Sequence, residues 1–309
     1  MFYIKKTGTR YEVCLFGFKA KFRLGNSKLQ ERMDNLLYEL ADPRTLQNVK
    51  LPKILTQDDT LYTLLGSDKS MARYGDGEFK LMVGENISFQ KYDPVLEKRL
   101  KEIIEYKNEN LFIGIPDTFG YCNEYCRKVM VLCRSMLYEH LDFSKEYIES
   151  WFVRRLKFAT HEQGVDYYNK IKTLWKDRDI VIVEGAGSRL GVGNDLFNST
   201  KSIERILCPI KDAFSKYDEI LAECLKQPTN KLFVLALGPT ATVLADDLSK
   251  KGYRALDIGH LDTAYEAFLR KAEKFVHVEG KVVFNEERHN NLIPPCNDEN
   301  YNKQIIAKI

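Results

Sequence analysis

What most limits the fold of this chain is a rhythm that starts near residue 70 and runs to about residue 260. Short apolar runs ending in Gly, Pro or a polar cluster ("SMARYG", "LFIGI", "DIVIVEG", "IERILCPI", "KLFVLALG" and "YRALDIG") alternate with segments of helical period. Among the latter are "DPVLEKRLKEIIEYK", with Pro94 suited to a first helical turn, "YCNEYCRKVMVLCRSMLYEHL", and "TATVLADDLSKKG", closed by Gly252. Strands that alternate with helices of this length imply βαβ units and an α/β fold: a doubly wound, mainly parallel sheet covered on both faces. Upstream, "KLQERMDNLLYELAD" and "DDTLYTLLGS" read as amphipathic helices, the second closed by Gly66. With no low-complexity linker and no fixed repeat, residues 56–285 are expected to form one domain. It follows an N-terminal hairpin and helix extension, residues 1–55, and precedes a polar, Pro-containing tail, residues 286–309, expected to wrap the surface.

Composition narrows the function classes. Apolar residues make up 44% and charged residues 29% of the 309, which suits a folded chain and not a disordered one. A formal charge of +3 from 47 basic and 44 acidic residues gives no general attraction to nucleic acid. The opening is different: Lys5, Lys6, Arg10, Lys19, Lys21 and Arg23 face one acid, Glu12, and are interleaved with Tyr11, Phe16, Phe18 and Phe22. This is a candidate basic aromatic hairpin for peripheral contact with an anionic membrane surface or an acceptor; the plainer alternative is a solvated edge hairpin. Seven cysteines, an odd number without a CxxC pair, point to reduced thiols. Cys122, Cys126 and Cys133 recur at helical spacing, which fits core packing better than a soft metal site. No apolar run approaches the ~18 residues that span a bilayer and no secretory core opens the chain, so the expected location is cytoplasmic, with any membrane contact at the inner face.

In an open α/β sheet, ligands bind beyond the carboxyl ends of the strands, where helix N-termini present unpaired N–H groups. Nearly all glycine-plus-polar clusters fall there: "GDGE", "PDTFG", "EGAGSRLGVGND", "PIKDAF", "GPTAT" and "GHLDTAYE". In the first, Asp76 and Glu78 are hard oxygen donors able to share Mg²⁺ or Mn²⁺ with a diphosphate, although Asp76 as a helix cap and Glu78 as its dipole complement explain the tripeptide as well. Arg73 just upstream favours phosphate chemistry or a hold on those acids. The loop of residues 184–195 has the look of a phosphate cradle, with Ser188 and Arg189 as donors and Asn194 available to a ribose or base; it has neither dinucleotide spacing nor the Lys-Ser/Thr of a P-loop, and a packing turn is the alternative. Gly238, Pro239 and Thr240 repeat the strand-to-helix geometry. Asp257, His260, Asp262 and Glu266 surround the last strand end, where a carboxylate is a candidate base for an attacking hydroxyl.

Taken in order, "RYGDGEF", "VEGAGSRLGVGNDLF", "LALGPTATVLADDLSKKGYRALDIGHLD" and "YEAF" resemble the GT-D family of bacterial glycosyltransferases over approximately residues 60 to 285. The resemblance implies a single Rossmann-like domain and transfer of a hexose, glucose or galactose type, from a UDP-sugar to a glycan acceptor on protein or lipid carrier, with Mn²⁺ or Mg²⁺. It assigns Asp76 and Glu78 to the D-x-E metal and diphosphate motif, flanked by Arg73. Gly185, Ser188, Arg189, Gly191, Asn194 and Asp195 fall in the donor loop, and Gly238, Pro239 and Thr240 in a second cradle. His260, Asp262 and Glu266 lie on the acceptor side, with Glu266 the preferred base. The chain departs from the family pattern at Ala264 and Ala267, where an acid and a tryptophan are expected. Two other classes compete: a Rossmann-type NAD(P)- or adenosylmethionine-dependent enzyme, and a non-catalytic nucleotide-binding protein.

Overall fold

The computed structural model describes residues 2–7, 10–23, 51–117, 137–282 and 295–309, together with Leu29 and Met33. They divide into two units, one of Met1–Leu51 with Asp117–Leu141 and one of Pro52–Pro116 with Asp142–Ile309. The "KLQERMDNLLYELAD" helix, most of the "YCNEYCRKVMVLCRSMLYEHL" segment with Cys122, Cys126 and Cys133, the end of "PDTFG", and residues 283–294 lie outside the described residues.

In the first unit, β1 (Phe2–Thr7), β2 (Arg10–Leu15) and β3 (Phe18–Arg23) form an antiparallel meander, one strand more than the expected hairpin. Phe16 and Gly17 link β2 to β3, both at positive φ (50° and 93°), as a two-residue type I′ turn requires. Tyr11 is buried and stacks on Phe22 at 6.1 Å.

The second unit holds one sheet of nine described strands: β4 (Lys53–Ile54), β5 (Ser70–Arg73), β6 (Leu111–Ile115), β7 (Glu146–Glu149), β8 (Asp179–Gly185), β9 (Ser202–Cys208), β10 (Leu232–Ala236), β11 (Arg254–Asp257) and β12 (Ile305–Lys308). Their order across the sheet is β12-β9-β8-β10-β11-β5-β6-β7-β4, with every described pairing parallel. All six apolar runs of the sequence become strands. The sheet adds β4, β7 and β12; the last corrects the expectation that the tail only wraps the surface.

The helices are α1 (Gln57–Leu65), α2 (Asp76–Met82), α3 (Pro94–Ile104), α4 (His161–Lys172), α5 (Tyr217–Cys224), α6 (Pro239–Lys250), α7 (Leu261–Leu269) and α8 (Glu299–Gln304). Their ends are set by local chemistry. Thr56 accepts from Asp59 N to start α1, and Asp93 accepts from Val95 N and Leu96 N ahead of Pro94 to start α3. Strand alternation then divides the core. Ile180, Ile182, Leu232, Val234 and Leu256 join a cluster with residues of α1, α4 and α7, while Val181, Val183, Phe233 and Leu235, also buried, face the opposite way. On that other side α2, α3, α5 and α6 pack on one another, and α6 packs on β5 and β11. Cys208 and Cys224 are buried free thiols, and burial pushes the Cys224 thiol up to about 12, so it is inert.

One buried charge pair ties this sheet together. Arg205 on β9 reaches Glu184 Oε1 on β8 (2.6 Å), Leu190 O (2.9 Å) and Gln304 Oε1 at the end of α8 (2.7 Å), with its guanidinium over the Tyr301 ring. Glu184 Oε2 accepts from Leu190 N at 2.8 Å. Burial pushes the Glu184 carboxyl up and Arg205 pulls it back, the balance expected where two charges leave water together. Glu184→Ala strands a buried guanidinium, so it is expected to lower stability by about 3–5 kcal/mol. The measurement is the urea midpoint, and joint replacement of Glu184 by Leu and Arg205 by Met should recover a large part of the loss.

Candidate functional site

The topology places a crevice before any side chain is considered. The chain leaves β8 toward β9 and leaves β10 toward β11, on opposite sides; β5 likewise leads to β6, while the chain after β11 ends at β12 on the far edge. Where neighbouring parallel strands send their connections apart, the loops at their carboxyl ends separate. The loops at Gly185 and Gly238 flank one such point, and those at Gly259 and Gly75 flank the other.

Arg73, the last residue of β5, braces the second point. Its Nε donates to Asp257 O (2.7 Å), Nη2 to Asp257 Oδ1 (3.0 Å) and Nη1 to Ser150 O (3.1 Å), joining the ends of β5, β11 and β7. Three of its donors are thereby held by protein rather than presented to a phosphate. Burial raises the Asp257 carboxyl pKa and the Arg73 charge lowers it. The brace requires glycine at 259, where φ is 42° and an added Cβ would meet Arg73 Nη2 at 2.0 Å. Arg73 stands close to the D-x-E motif in sequence, but the strand-to-helix turn sends it toward β11 instead.

Asp76 and Glu78 sit in the first turn of α2, with Gly75 as N-cap. Glu78 Oε2 accepts from Gly75 N at 2.7 Å, and Asp76 Oδ2 pairs with Lys80 at 3.0 Å. The cap and the ligand readings therefore coexist, because each carboxylate keeps a second oxygen, Oε1 of Glu78 and Oδ1 of Asp76. Glu78 keeps partial surface exposure, yet its carboxyl lies deep among protein atoms, and this desolvation, reinforced by Asp257, pushes its pKa up to about 7 against the pull of Gly75 N and Arg73. Among the described residues no three His, Cys, Asp or Glu side chains are grouped to hold a metal ion. Two hard carboxylates in one helical turn are nevertheless donors of the type that Mg²⁺ or Mn²⁺ takes, and Asp76 and Glu78 would be the residues to hold one.

The glycine loop after β8 winds through Gly187 (φ 95°), Arg189 (φ 51°), Gly191 (φ 74°) and Gly193 (φ 83°), with Ser188 N turned back on Gly185 O at 2.9 Å. At Gly191 a Cβ would also strike Phe197 at 2.4 Å. A buried polar cluster fixes the loop. Asn194 Nδ2 donates to Asp262 Oδ1 (2.8 Å) and Glu266 Oε1 (2.7 Å), and Gly191 N donates to Asp262 Oδ1 (2.9 Å). Lys281 Nζ lies 2.6 Å from Asp262 Oδ2 and 3.6 Å from Glu266 Oε1, while Arg270 Nη2 is 3.3 Å from Glu266 Oε2. Nearby, Val282 N donates to Gly187 O, and Arg189 Nη1 to Gly280 O at 2.5 Å. Asp195 is engaged elsewhere, by Tyr265 Oη (2.5 Å) and Lys172 (2.7 Å).

Of the residues singled out in the sequence, Asn194, Asp262 and Glu266 are thus brought together, in a cluster that positions the loop. Arg189 and Asp195 are committed to other parts of the scaffold. His260, the N-cap residue of α7, lies edge-on to Phe275 (centroids 6.4 Å apart), over which Arg154 stacks at 4.6 Å. Burial, with Arg154 and Arg73 nearby, holds its pKa well below the usual histidine value, so it is neutral at physiological pH.

The second cradle is built differently. Gly238 (φ 54°) turns the chain into α6, and a Cβ there would meet Phe89 at 2.5 Å. Pro239 takes the first helical position and Thr240 is fully buried, its Oγ1 enclosed without a hydrogen-bond partner, as is Ser150 Oγ. Behind it Ala241 N donates to Gly238 O at 2.9 Å, so what faces outward at this helix start is Gly238 itself. The "PIKDAF" loop closes the wall: Asp212 N donates to Phe89 O (2.7 Å), and Asp212 Oδ1 accepts from Gln90 Nε2 (2.7 Å) and Lys91 N (3.2 Å). Sequence reasoning missed Lys281, Phe89 and Glu184. Only Glu184 carried a signal, a lone acid inside an apolar strand.

A sequence model of the glycosyltransferase GT-D fold matches residues 71–286. A probable glycosyl transferase, Gly, of Streptococcus gordonii is 37% identical over 281 residues, 87% of this chain and 40% of its own length. Glycosyltransferase GlyD of Streptococcus pneumoniae serotype 4 is 35% identical over 296 residues, 93% of this chain and 36% of its own. The chain spans about two fifths of the length of these curated relatives. Among solved structures, a new glycosyltransferase from Streptococcus sanguinis superposes with a TM-score of 0.77 at 34% identity, covering 84% of this chain and 100% of that one. Another, a conserved domain of unknown function described as having a distinct glycosyltransferase fold, gives 0.77 at 33% identity over 88% of this chain and 98% of its own.

Two outcomes follow from the geometry. Lys281→Met leaves Asp262 buried without its cation, while Glu266 keeps Arg270, and is expected to cost about 3–5 kcal/mol, measured by chemical denaturation. For Glu78, the unfolded carboxyl ionises near 4.5 and the folded one near 7, so in that window the folded chain keeps a proton the unfolded chain has released. Stability attributable to Glu78 is therefore lost as pH rises through the window. Glu78→Gln should raise the melting temperature at about pH 8 and change it little at about pH 5.

Proposed function

The chain belongs to the family of GT-D-fold glycosyltransferases, and on that premise we propose that it moves a hexose, of glucose or galactose type, from a UDP-sugar to a glycan acceptor on protein or lipid carrier. The observation that carries this reading is the pairing of two unlike helix starts on nearby strand ends. The start of α2 offers the carboxylates of Asp76 and Glu78, and the start of α6, beyond exposed Gly238, offers the positive end of a twelve-residue helix. A diphosphate suits both, since its charge is drawn to the start of α6 and its oxygens complete the coordination of a cation shared with α2.

Each residue then has a defined task. The positive end of α6, at Gly238, attracts the phosphates, and enclosed Thr240 anchors that helix start in the core. Asp76 and Glu78 would hold Mn²⁺ or Mg²⁺, which when bound neutralises the charge gathering on the departing diphosphate. The cluster of Asn194, Asp262, Glu266 and Lys281 keeps the glycine loop in one conformation, so the donor is met by preset amides rather than a mobile segment. Neutral His260 is suited to hydrogen bonding and not to repelling a cation. On the acceptor side Glu266 is a better base than Asp262. Among the described residues its Oε2 meets Arg270 alone, at 3.3 Å, through a side chain that is 47% exposed and also donates to His277 O at 3.0 Å, whereas both Asp262 oxygens are tied within 3 Å. A displaced Arg270 leaves Oε2 to take the proton of the attacking hydroxyl.

The test is a panel of UDP-sugars assayed for donor hydrolysis and transfer, with Mn²⁺ and with chelator. Turnover is expected to vanish in chelator, and Asp76→Asn or Glu78→Gln should lower it by about 10²-fold or more with the circular dichroism spectrum unchanged. UDP binding without turnover would instead support a nucleotide-binding protein, and full turnover in chelator would remove the cation from the mechanism.

A further inference from the structure

Residues 1–23 contain six basic side chains and one acid, a formal +5, so against the whole-chain +3 the other 286 residues together carry −2. The fold gives this charge a shape. Along β3, Lys19, Lys21 and Arg23 alternate with Phe18, Ala20 and Phe22, which makes one face of the strand basic and the other apolar, and all six residues are exposed. The turn before β3 adds Phe16. Phe16 is 83% exposed and Phe18 84%, and Leu15, paired across the turn with Phe18, is 49% exposed. Large apolar side chains at the tip of a projecting turn, bordered by cations, are two membrane-seeking signals side by side.

We propose that this tip seats the protein on an anionic phospholipid bilayer, with Leu15, Phe16 and Phe18 entering the interfacial layer, Lys19 beside them meeting the headgroups and Arg23 adding attraction from the far end of the strand; Lys21 is paired with Glu12 at 3.0 Å. Aromatic side chains favour that layer, and basic residues within a Debye length of an anionic leaflet add to the attraction. Each signal alone is weak and reversible; the combination gives retention. Among the described residues no helix is long and apolar enough to cross a membrane, so the attachment is peripheral. The proposal is independent of the donor chemistry and stands or falls separately from it.

The experiment is cosedimentation of the full chain with vesicles of phosphatidylcholine alone and vesicles enriched in phosphatidylglycerol. Binding is expected only to the anionic vesicles and is expected to be lost in high salt. The variant Phe16→Asn with Phe18→Thr should keep the meander, because asparagine before glycine is favoured in a type I′ turn and threonine suits a strand. It should lower the partition coefficient about tenfold, with donor hydrolysis in solution unchanged. Lys19→Gln with Arg23→Gln should reduce binding to anionic vesicles and flatten its salt dependence. Equal binding to neutral vesicles, no binding to anionic ones, undiminished binding by the Phe variant, or a self-associated dimer abolished by that variant would each overturn the proposal.

Discussion

The strand-end architecture depends on charges that have been taken out of water in pairs. Arg73 with Asp257, Arg205 with Glu184, and Lys281 with Asp262 each have both side chains at most 12% exposed. Such pairs add little net stability over an apolar filling, because desolvation offsets most of the attraction. What they supply is geometry. Each also satisfies backbone groups of a loop that would otherwise be loose: Arg73 holds Asp257 O and Ser150 O, Glu184 and Arg205 hold both polar groups of Leu190, and Asp262 holds Gly191 N. The glycine-rich turns are conformationally permissive by themselves, and these pairs choose one conformation for them.

Much of the fold was legible because central parallel strands are apolar on both faces, as in "DIVIVEG" and "KLFVLALG". Strands at or next to the margins lack that signature. β7, inside only the two-residue β4, reads "EYIE", and β12 is a short run after a polar stretch, so only their long-range partners make them strands. In the site, the glycines announced the loops, but side-chain roles were harder to read. Asp262 and Glu266, four residues apart in α7, share one face of that helix. Sequence spacing could not show that Lys281, outside any helix or strand, would lie between them.

The same limit explains Arg73. Asp76 and Glu78, three and five positions on, are its nearest carboxylates in the sequence, yet a strand alternates its side chains and a helix start turns the chain away. The partner that wins is Asp257, on the neighbouring strand and far along the sequence. Glu78 shows the cost of enclosing a carboxylate in this way: its carboxyl, carried up to about 7, is partly neutral where a surface glutamate is fully charged.

The pairing of β12 with β9 reaches further than the margin of the sheet. Ile305 lies opposite Arg205 in that pairing. Gln304, at the threshold of β12, is what Arg205 Nε holds, and Arg205 in turn holds Leu190. The outermost strand and the glycine-rich loop are therefore tethered through one side chain, and fraying at the margin is transmitted to the loop.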